Sequence, residues 1–195
     1  GDGISAGMII DGDLLNGNKG FAGELGHIVV QPEGGLLCNC GNRGCVETIA
    51  SLPSILRKFN MEMPYVAEDD PAKQYWLAHG VRNVEDLMAL AQLDSEYAQK
   101  IFRYFCEHLS IAVSTVINLL SPEVVIMGGK MIGIMELYLE ELNRRIANHS
   151  FPEIFAHTEL KLSNMREEAS VSGACALALG EVLSLSGDVF FGDGN

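Results

Sequence analysis

The chain has 195 residues, 48% of them apolar, enough to bury one good core or one core with a small subdomain. Its 13 Lys and Arg stand against 26 Asp and Glu, a formal charge of −13, and so acidic a surface repels phosphate backbones, so this segment is not expected to grip nucleic acid itself. No apolar run approaches the length of a membrane span and no basic leader is seen, so no membrane partner is expected; residue 1 opens inside a glycine loop, and any leader would lie before it.

Gly1-Asp2-Gly3-Ile4-Ser5-Ala6-Gly7 is that glycine-rich loop. Met8-Ile9-Ile10 reads as a strand and Asp11-Gly12 as a hairpin turn, because both turn positions need positive φ and these residues tolerate it. Asp13-Leu14-Leu15 starts the return strand. Asn16 to Gly23 is a polar, glycine-punctuated loop whose backbone can approach a small ligand. An opening in mid-loop marks the chain as the carboxy-terminal part of a longer protein.

Ile28-Val29-Val30 reads as a short strand, and Gln31-Pro32-Glu33-Gly34-Gly35 turns toward the cysteines. Three of the five cysteines fall within eight residues, at Cys38, Cys40 and Cys45, with His27 eleven residues upstream. Three thiolates and one imidazole complete a tetrahedral shell for zinc, and Gly41 and Gly44 let the backbone fold between the ligands. A disulfide with one spare thiol and three buried thiols are the other readings. The first suits an oxidising compartment, for which nothing argues, and the second fits poorly with polar Asn39, Asn42 and Arg43. Thiolate ligands favour the reducing cytoplasm. An imidazole with one nitrogen on zinc can offer the other to a ligand hydroxyl.

Beyond Glu47 the spacing predicts a helix over Leu52 to Phe59, capped by Ser51. Asn60 to Gly80 carries the acidic turn Glu68-Asp69-Asp70, with Tyr75, Trp76 and Leu77 as helix anchors. Asn83 caps a helix over Val84 to Ala91. Apolar residues at three- and four-residue steps predict a long helix from about Ser95 to Leu120, packed on the sheet and ended by Ser121-Pro122. Cys106 within it reads as core and His108 as helix surface. Glu123 to Met127 reads as a buried parallel strand, and Gly128-Gly129 turns the chain into a helix from about Met135 to Asn148. Glu159 to Leu162 is a further strand. The small residues of Ala169 to Leu183 predict a closely packed helix, and Gly187 to Asn195 a frayed tail with Phe190 and Phe191 packing back or meeting another subunit. Alternating strands and helices indicate an α/β fold.

Glu24-Leu25-Gly26-His27 followed by Cys38-Asn39-Cys40-Gly41-Asn42-Arg43-Gly44-Cys45-Val46-Glu47 resembles the E-x-G-H and C-x-C-G-x-x-G-C-x-E signature of the ROK family, which joins sugar kinases and sugar-responsive transcriptional repressors. The likeness runs from Gly1 to about Ala178. It implies an actin-like, hexokinase-like (ribonuclease H-like) lobe with structural zinc at His27, Cys38, Cys40 and Cys45. It also implies sugar hydroxyls at Glu24, His27 and Glu47, and assembly as a homodimer or homotetramer.

In kinases of this family the opening loop reads Gly-Thr-Gly and cradles nucleotide phosphates, while the Gly128-Gly129 turn takes the adenosine end. ATP with magnesium would then meet Gly1, Gly3, Gly128 and Gly129. Here the loop carries Asp2. A carboxylate about 4 Å from a phosphate charge costs on the order of 4 kcal/mol at an effective dielectric of about 20, roughly a thousandfold in affinity. Asp2 could instead point into solvent or cap a neighbouring amide, and Lys130 could attract a phosphate, though a solvated lysine is the preferred reading. The run Glu47 to Leu56, ETIASLPSIL, resembles the repressor branch.

The expectation is therefore the sugar-sensing lobe of a ROK-type repressor, with its DNA-binding helices before Gly1. The alternative is the C-terminal lobe of a hexose kinase, whose catalytic base would also precede Gly1. A third reading is a silent, zinc-stiffened oligomerisation domain.

Overall fold

The computed structural model describes residues 3–165 and 168–190. Gly1, Asp2 and 191–195 lie outside the described residues, and with them the sequence readings of Gly1, Asp2 and the last five tail residues.

β1 (Ile9–Ile10) and β2 (Asp13–Leu14) form the expected hairpin, with Ile10 opposite Asp13. Asp11 and Gly12 hold φ of 54° and 89°, the positive values a two-residue turn demands. Two short 3₁₀ turns follow, Asn18–Gly20 and Leu25–His27. His27 thus ends a turn rather than starting a strand. Ile28 to Val30 makes only a single bridge, Val29 with Cys45, because its partner segment passes at once into a helix.

The helical body begins with α1 (Glu47–Ala50) and α2 (Leu52–Glu62). Ser51 caps α2 by accepting from the Ser54 amide at 3.3 Å, and Pro53 occupies the first turn where its missing N–H costs nothing. Asp70 caps α3 (Pro71–His79) in the same manner, and Asn83 with Asp86 builds a full capping box on α4 (Val84–Ala91). α5 (Glu96–Leu120) is the longest element and stops at Ser121, whose φ of 46° is left-handed.

β3 (Val124–Met127) runs parallel to β4 (Glu159–Leu162), in register from Val124 with Glu159 to Met127 with Leu162. Between them come α6 (Ile132–Leu137), α7 (Leu139–His149) and α8 (Pro152–Phe155). The single helix expected from Met135 to Asn148 is two, broken at Tyr138, where φ −110° and ψ 20° depart from helical values. β3 is not buried as its composition suggests: Val124 is 41% and Ile126 63% exposed. Only its inner residues, Val125 and Met127, pack inward.

The described strands form two separate two-stranded sheets. α5 packs mainly against α7, with α1 and α4 beside it, and its Phe105, Leu109 and Val113 share the core with Val125 and Met127 of β3. A charged seam lines the α5–α7 contact, where Arg145 pairs with Glu107 and with Glu141 at 2.6 Å. The core is centred on Phe59, Phe102, Phe105, Ile117, Ile134 and Leu142, with the Phe59 and Phe102 rings 5.4 Å apart. Cys106 is buried among them. Burial pushes its thiol up to about 12.

α9 (Ala169–Phe190) extends past the Gly187 at which the tail was expected to fray. The small residues from Ala169 to Gly180 are exposed rather than packed, because none of the other described elements covers them. Among the described residues no helix is long and apolar enough to cross a membrane.

Candidate metal and ligand site

The loop from Gln31 to Cys45 is folded on itself before any ligand is considered. Val30 and Gln31 donate to Gly44 O at 2.9 and 3.1 Å, and Gly44 returns a bond to Leu36 O at 2.9 Å. At the tip, Cys38 N donates to Asn42 O at 2.8 Å and Gly41 N to Cys38 O at 3.0 Å. Gly44, at φ 74°, passes so close to the Gln31 carbonyl that a Cβ there would overlap its oxygen. Only glycine fits this crossing. Gln31 is tied to α5 by the Tyr104 hydroxyl at 2.7 Å, a contact that no spacing in the sequence announces.

This crossing brings the four expected ligands together. One donor atom from each of His27, Cys38, Cys40 and Cys45 lies within 4.8 Å of the others. His27 Nδ1 is 3.5 Å from Cys38 Sγ, and Cys40 Sγ is 3.7 Å from Cys45 Sγ. A tetrahedral zinc shell with bonds of about 2.3 Å to sulfur and about 2.0 Å to nitrogen has edges of about 3.5 to 3.8 Å. The donor set suits zinc, and the His27–Cys38 and Cys40–Cys45 separations match such edges. Cys38 and Cys45 are buried and Cys40 is exposed; all three are free thiols. The Asn42 backbone N–H beside Cys40 holds its thiol down at about 7, whereas burial pushes Cys45 up to about 12.

The His27 ring faces two ways. With Nδ1 toward the thiols, Nε2 points at Glu24 Oε2, 3.5 Å away. That distance exceeds a good N–H···O bond by about half an ångström. Glu24 is exposed and His27 half-buried, so a hydroxyl seated beside the pair, not between them, could accept from one and donate to the other.

Glu47 opens α1, two residues after Cys45, with its carbonyl held by the Ser54 hydroxyl at 2.8 Å. Its Oε2 accepts the Ile4 amide at 3.1 Å. Gly26 donates to Ile4 O at 3.0 Å and Ala6 to Gly23 O at 2.8 Å, fastening the opening segment along the Glu24–His27 turn. A Cβ on Gly26 would meet Ile4 O, so this approach also requires glycine. Glu24 and His27 are thus in contact, while Glu47 lies against Gly26 with one oxygen committed to backbone.

Gly3, Gly128, Gly129 and Lys130 line one cavity of about 710 Å³ between the opening segment and β3, floored by Phe105, Leu109 and Val113. The glycines assigned to a nucleotide are therefore brought together, Gly1 excepted, which lies outside the described residues. Glu24, His27 and Glu47 do not line this cavity.

The ROK family profile matches residues 1–181. The chain is 31% identical over 173 residues to a glucokinase of Halalkalibacterium halodurans, covering 89% of this chain and 52% of that protein. It is also 31% identical over 186 residues to a xylose repressor of Caldicellulosiruptor bescii, covering 94% of this chain and 45% of that one. Among solved structures, a ROK family transcriptional regulator described as a homolog of the E. coli MLC protein superposes with a TM-score of 0.75 at 29% identity, over 86% of this chain and 41% of its own. The chain thus spans about half the length of the relatives it matches. The match along nearly its whole length, the paired motifs and the shared α/β fold lead to one conclusion: the chain belongs to the ROK family.

Proposed function

We propose that this chain is the sugar-binding lobe of a ROK-type transcriptional regulator. In this reading a structural zinc on His27 Nδ1, Cys38, Cys40 and Cys45 fixes the loop from which the hexose is read. The observation that carries it is the two-sided His27 ring, with the thiols on one nitrogen and Glu24 on the other. A metal on Nδ1 leaves the proton on Nε2. Nε2 then donates to a sugar oxygen while Glu24 accepts from a sugar hydroxyl, and Glu47 can add its second carboxylate oxygen. The metal supplies no chemistry; it holds the ring in place.

The regulator branch is favoured by the likeness of Glu47 to Leu56 to repressors and by Asp2 in the opening loop. The xylose repressor and the MLC homolog are consistent with it. In this role sugar binding biases how the lobe sits against the rest of a dimer or tetramer, and DNA is contacted only by a domain that this chain does not carry. Three zinc thiolates suit a reducing cytoplasm.

One observation favours the kinase alternative: Gly3, Gly128, Gly129 and Lys130 share one cavity, where ATP and magnesium would belong. Calorimetric titration of the zinc-loaded chain with glucose, N-acetylglucosamine, xylose and allose, and separately with AMPPNP and magnesium, tests the choice. The regulator reading expects a hexose to bind and the nucleotide not to. Micromolar nucleotide binding would move the assignment to the kinase branch. Silence toward every sugar would remove the sugar site.

A further inference from the structure

The three thiols of the loop differ in reach. Cys40 is exposed, whereas Cys38 and Cys45 are buried. Cys40 Sγ stands 3.7 Å from Cys45 Sγ. Of the four residues joining them, Gly41, Asn42 and Arg43 form an exposed tip, while buried Gly44 stays fixed at the Gln31 crossing. Gly41 has φ 93° and no atom within 4 Å of where a side chain would begin. The exposed Cys40 end has open space around it, so closure is met by shifting this end and not the core, and a disulfide of about 2.05 Å needs roughly 1.7 Å of it. Cys38 is the poorer partner for Cys40. Its sulfur is turned to His27 Nδ1 at 3.5 Å, and its amide is held by Asn42 O at 2.8 Å.

We propose that Cys40 and Cys45 form a peroxide-reactive dithiol, a modification site within the metal loop whose oxidation expels the metal. The Cys40 sulfur attacks one oxygen of hydrogen peroxide. The O–O bond breaks, water leaves, and Cys40 becomes a sulfenic acid. The Cys45 sulfur then attacks the Cys40 sulfur, forming the S–S bond and breaking the S–O bond, and a second water departs. The two sulfurs give up two electrons and the peroxide takes them; in the zinc-loaded chain both sulfurs start as thiolates, so two protons from solvent complete the two waters.

Afterwards only His27 and Cys38 remain as ligands, half of a tetrahedral shell. Nothing then holds the His27 ring toward Glu24 through its far nitrogen. The loss of sugar affinity that follows rests on the function proposed above; the dithiol reaction itself does not.

The test uses the reduced, zinc-loaded chain treated with hydrogen peroxide, with a chromogenic chelator reading released zinc and a non-reducing tryptic mass map reading the thiols. Trypsin cuts after Arg43, so a Cys40–Cys45 bond joins two peptides, 20–43 and 44–57, whereas a Cys38–Cys40 bond stays within the first. The expected result is one zinc released per chain, two thiols lost and the two peptides linked, all reversed by dithiothreitol and added zinc. Cys40→Ser should abolish the link. Sulfinic or sulfonic Cys40 without a link, a dominant Cys38–Cys40 bond, or a chain unchanged by peroxide would overturn the proposal. Zinc content and hexose titration before treatment separate the two claims. A chain without sugar binding that still forms the link loses only the proposed function, and a sugar-binding chain that never forms it loses only the dithiol.

Discussion

Glu47 Oε2 accepts the Ile4 amide at 3.1 Å, so a carboxylate at the end of the cysteine loop holds the segment that leads to the large cavity. Glu47→Ala removes that acceptor. A half-buried amide left without its charged partner costs about 1–3 kcal/mol. Denaturant unfolding should show a loss in that range, and hydrogen exchange at Ile4 should quicken. Glu47→Gln keeps an acceptor oxygen and should recover most of the stability while still weakening hexose binding.

Gly44 crosses the Gln31 carbonyl with no room for a side chain, and the obstruction is backbone. Gly44→Ala should therefore pull the crossing apart and lower zinc retention at least tenfold in a competition with a chelator. Gly41→Ala meets no neighbouring atom but adopts φ 93°, so it should cost about 1 kcal/mol of stability and leave zinc bound.

Metal loading should depend on pH in a definite direction. Cys40, held at about 7 by the Asn42 amide, is largely ionised above neutrality, whereas buried Cys45, at about 12, keeps its proton. Both must be deprotonated to ligate. Between pH 7 and 9 the buried Cys45 proton competes away about tenfold in zinc affinity for each unit the pH falls. Below pH 7 the Cys40 proton adds to it. Affinity measured against a calibrated chelator should thus rise with pH, and more steeply on the acid side of 7.

Thiol labelling of the metal-free chain should follow the same environments. Exposed Cys40 should react first with iodoacetamide at pH 7.5, while Cys106, buried and pushed up to about 12, should stay unmodified until the fold is opened. Peptide mapping over time reads the order directly.

The capping box on α4 offers a control far from the site. Asn83 Oδ1 accepts the Asp86 amide at 2.9 Å, and Asp86 Oδ2 accepts the Asn83 and Arg82 amides at 3.3 and 2.8 Å. Asn83→Ala should cost about 1 kcal/mol of stability in denaturant unfolding without altering zinc content.

Local chemistry made much of this legible. The turn at Asp11-Gly12, the caps at Ser51 and Asn83 and the period of α5 each follow from what a few neighbouring residues require, and the structure keeps them. The spacing Cys-x-Cys-x4-Cys with an upstream His marked four side chains as a candidate quartet, and their donor atoms do converge. What failed was set by distant partners. β3 is as apolar as a buried strand, yet whether it is covered depends on which element lies beside it. The small residues of α9 similarly promise close packing without naming a neighbour. The Ile4–Glu47 bond joins positions 43 residues apart, and neither residue type marks the other. Tyr104 with Gln31 is hidden for the same reason, as a tyrosine on a helix and a glutamine in a turn have many possible partners.

The central claim is that a metal on the thiol side of His27 builds the ligand site on the Glu24 side. Hexose titration of one preparation before and after zinc removal, with metal content measured on the same samples, addresses it most directly. The account predicts one zinc per chain at the start, a loss of at least tenfold in sugar affinity on stripping, and recovery when zinc is restored. A chain that binds its sugar equally well with and without the metal would contradict it.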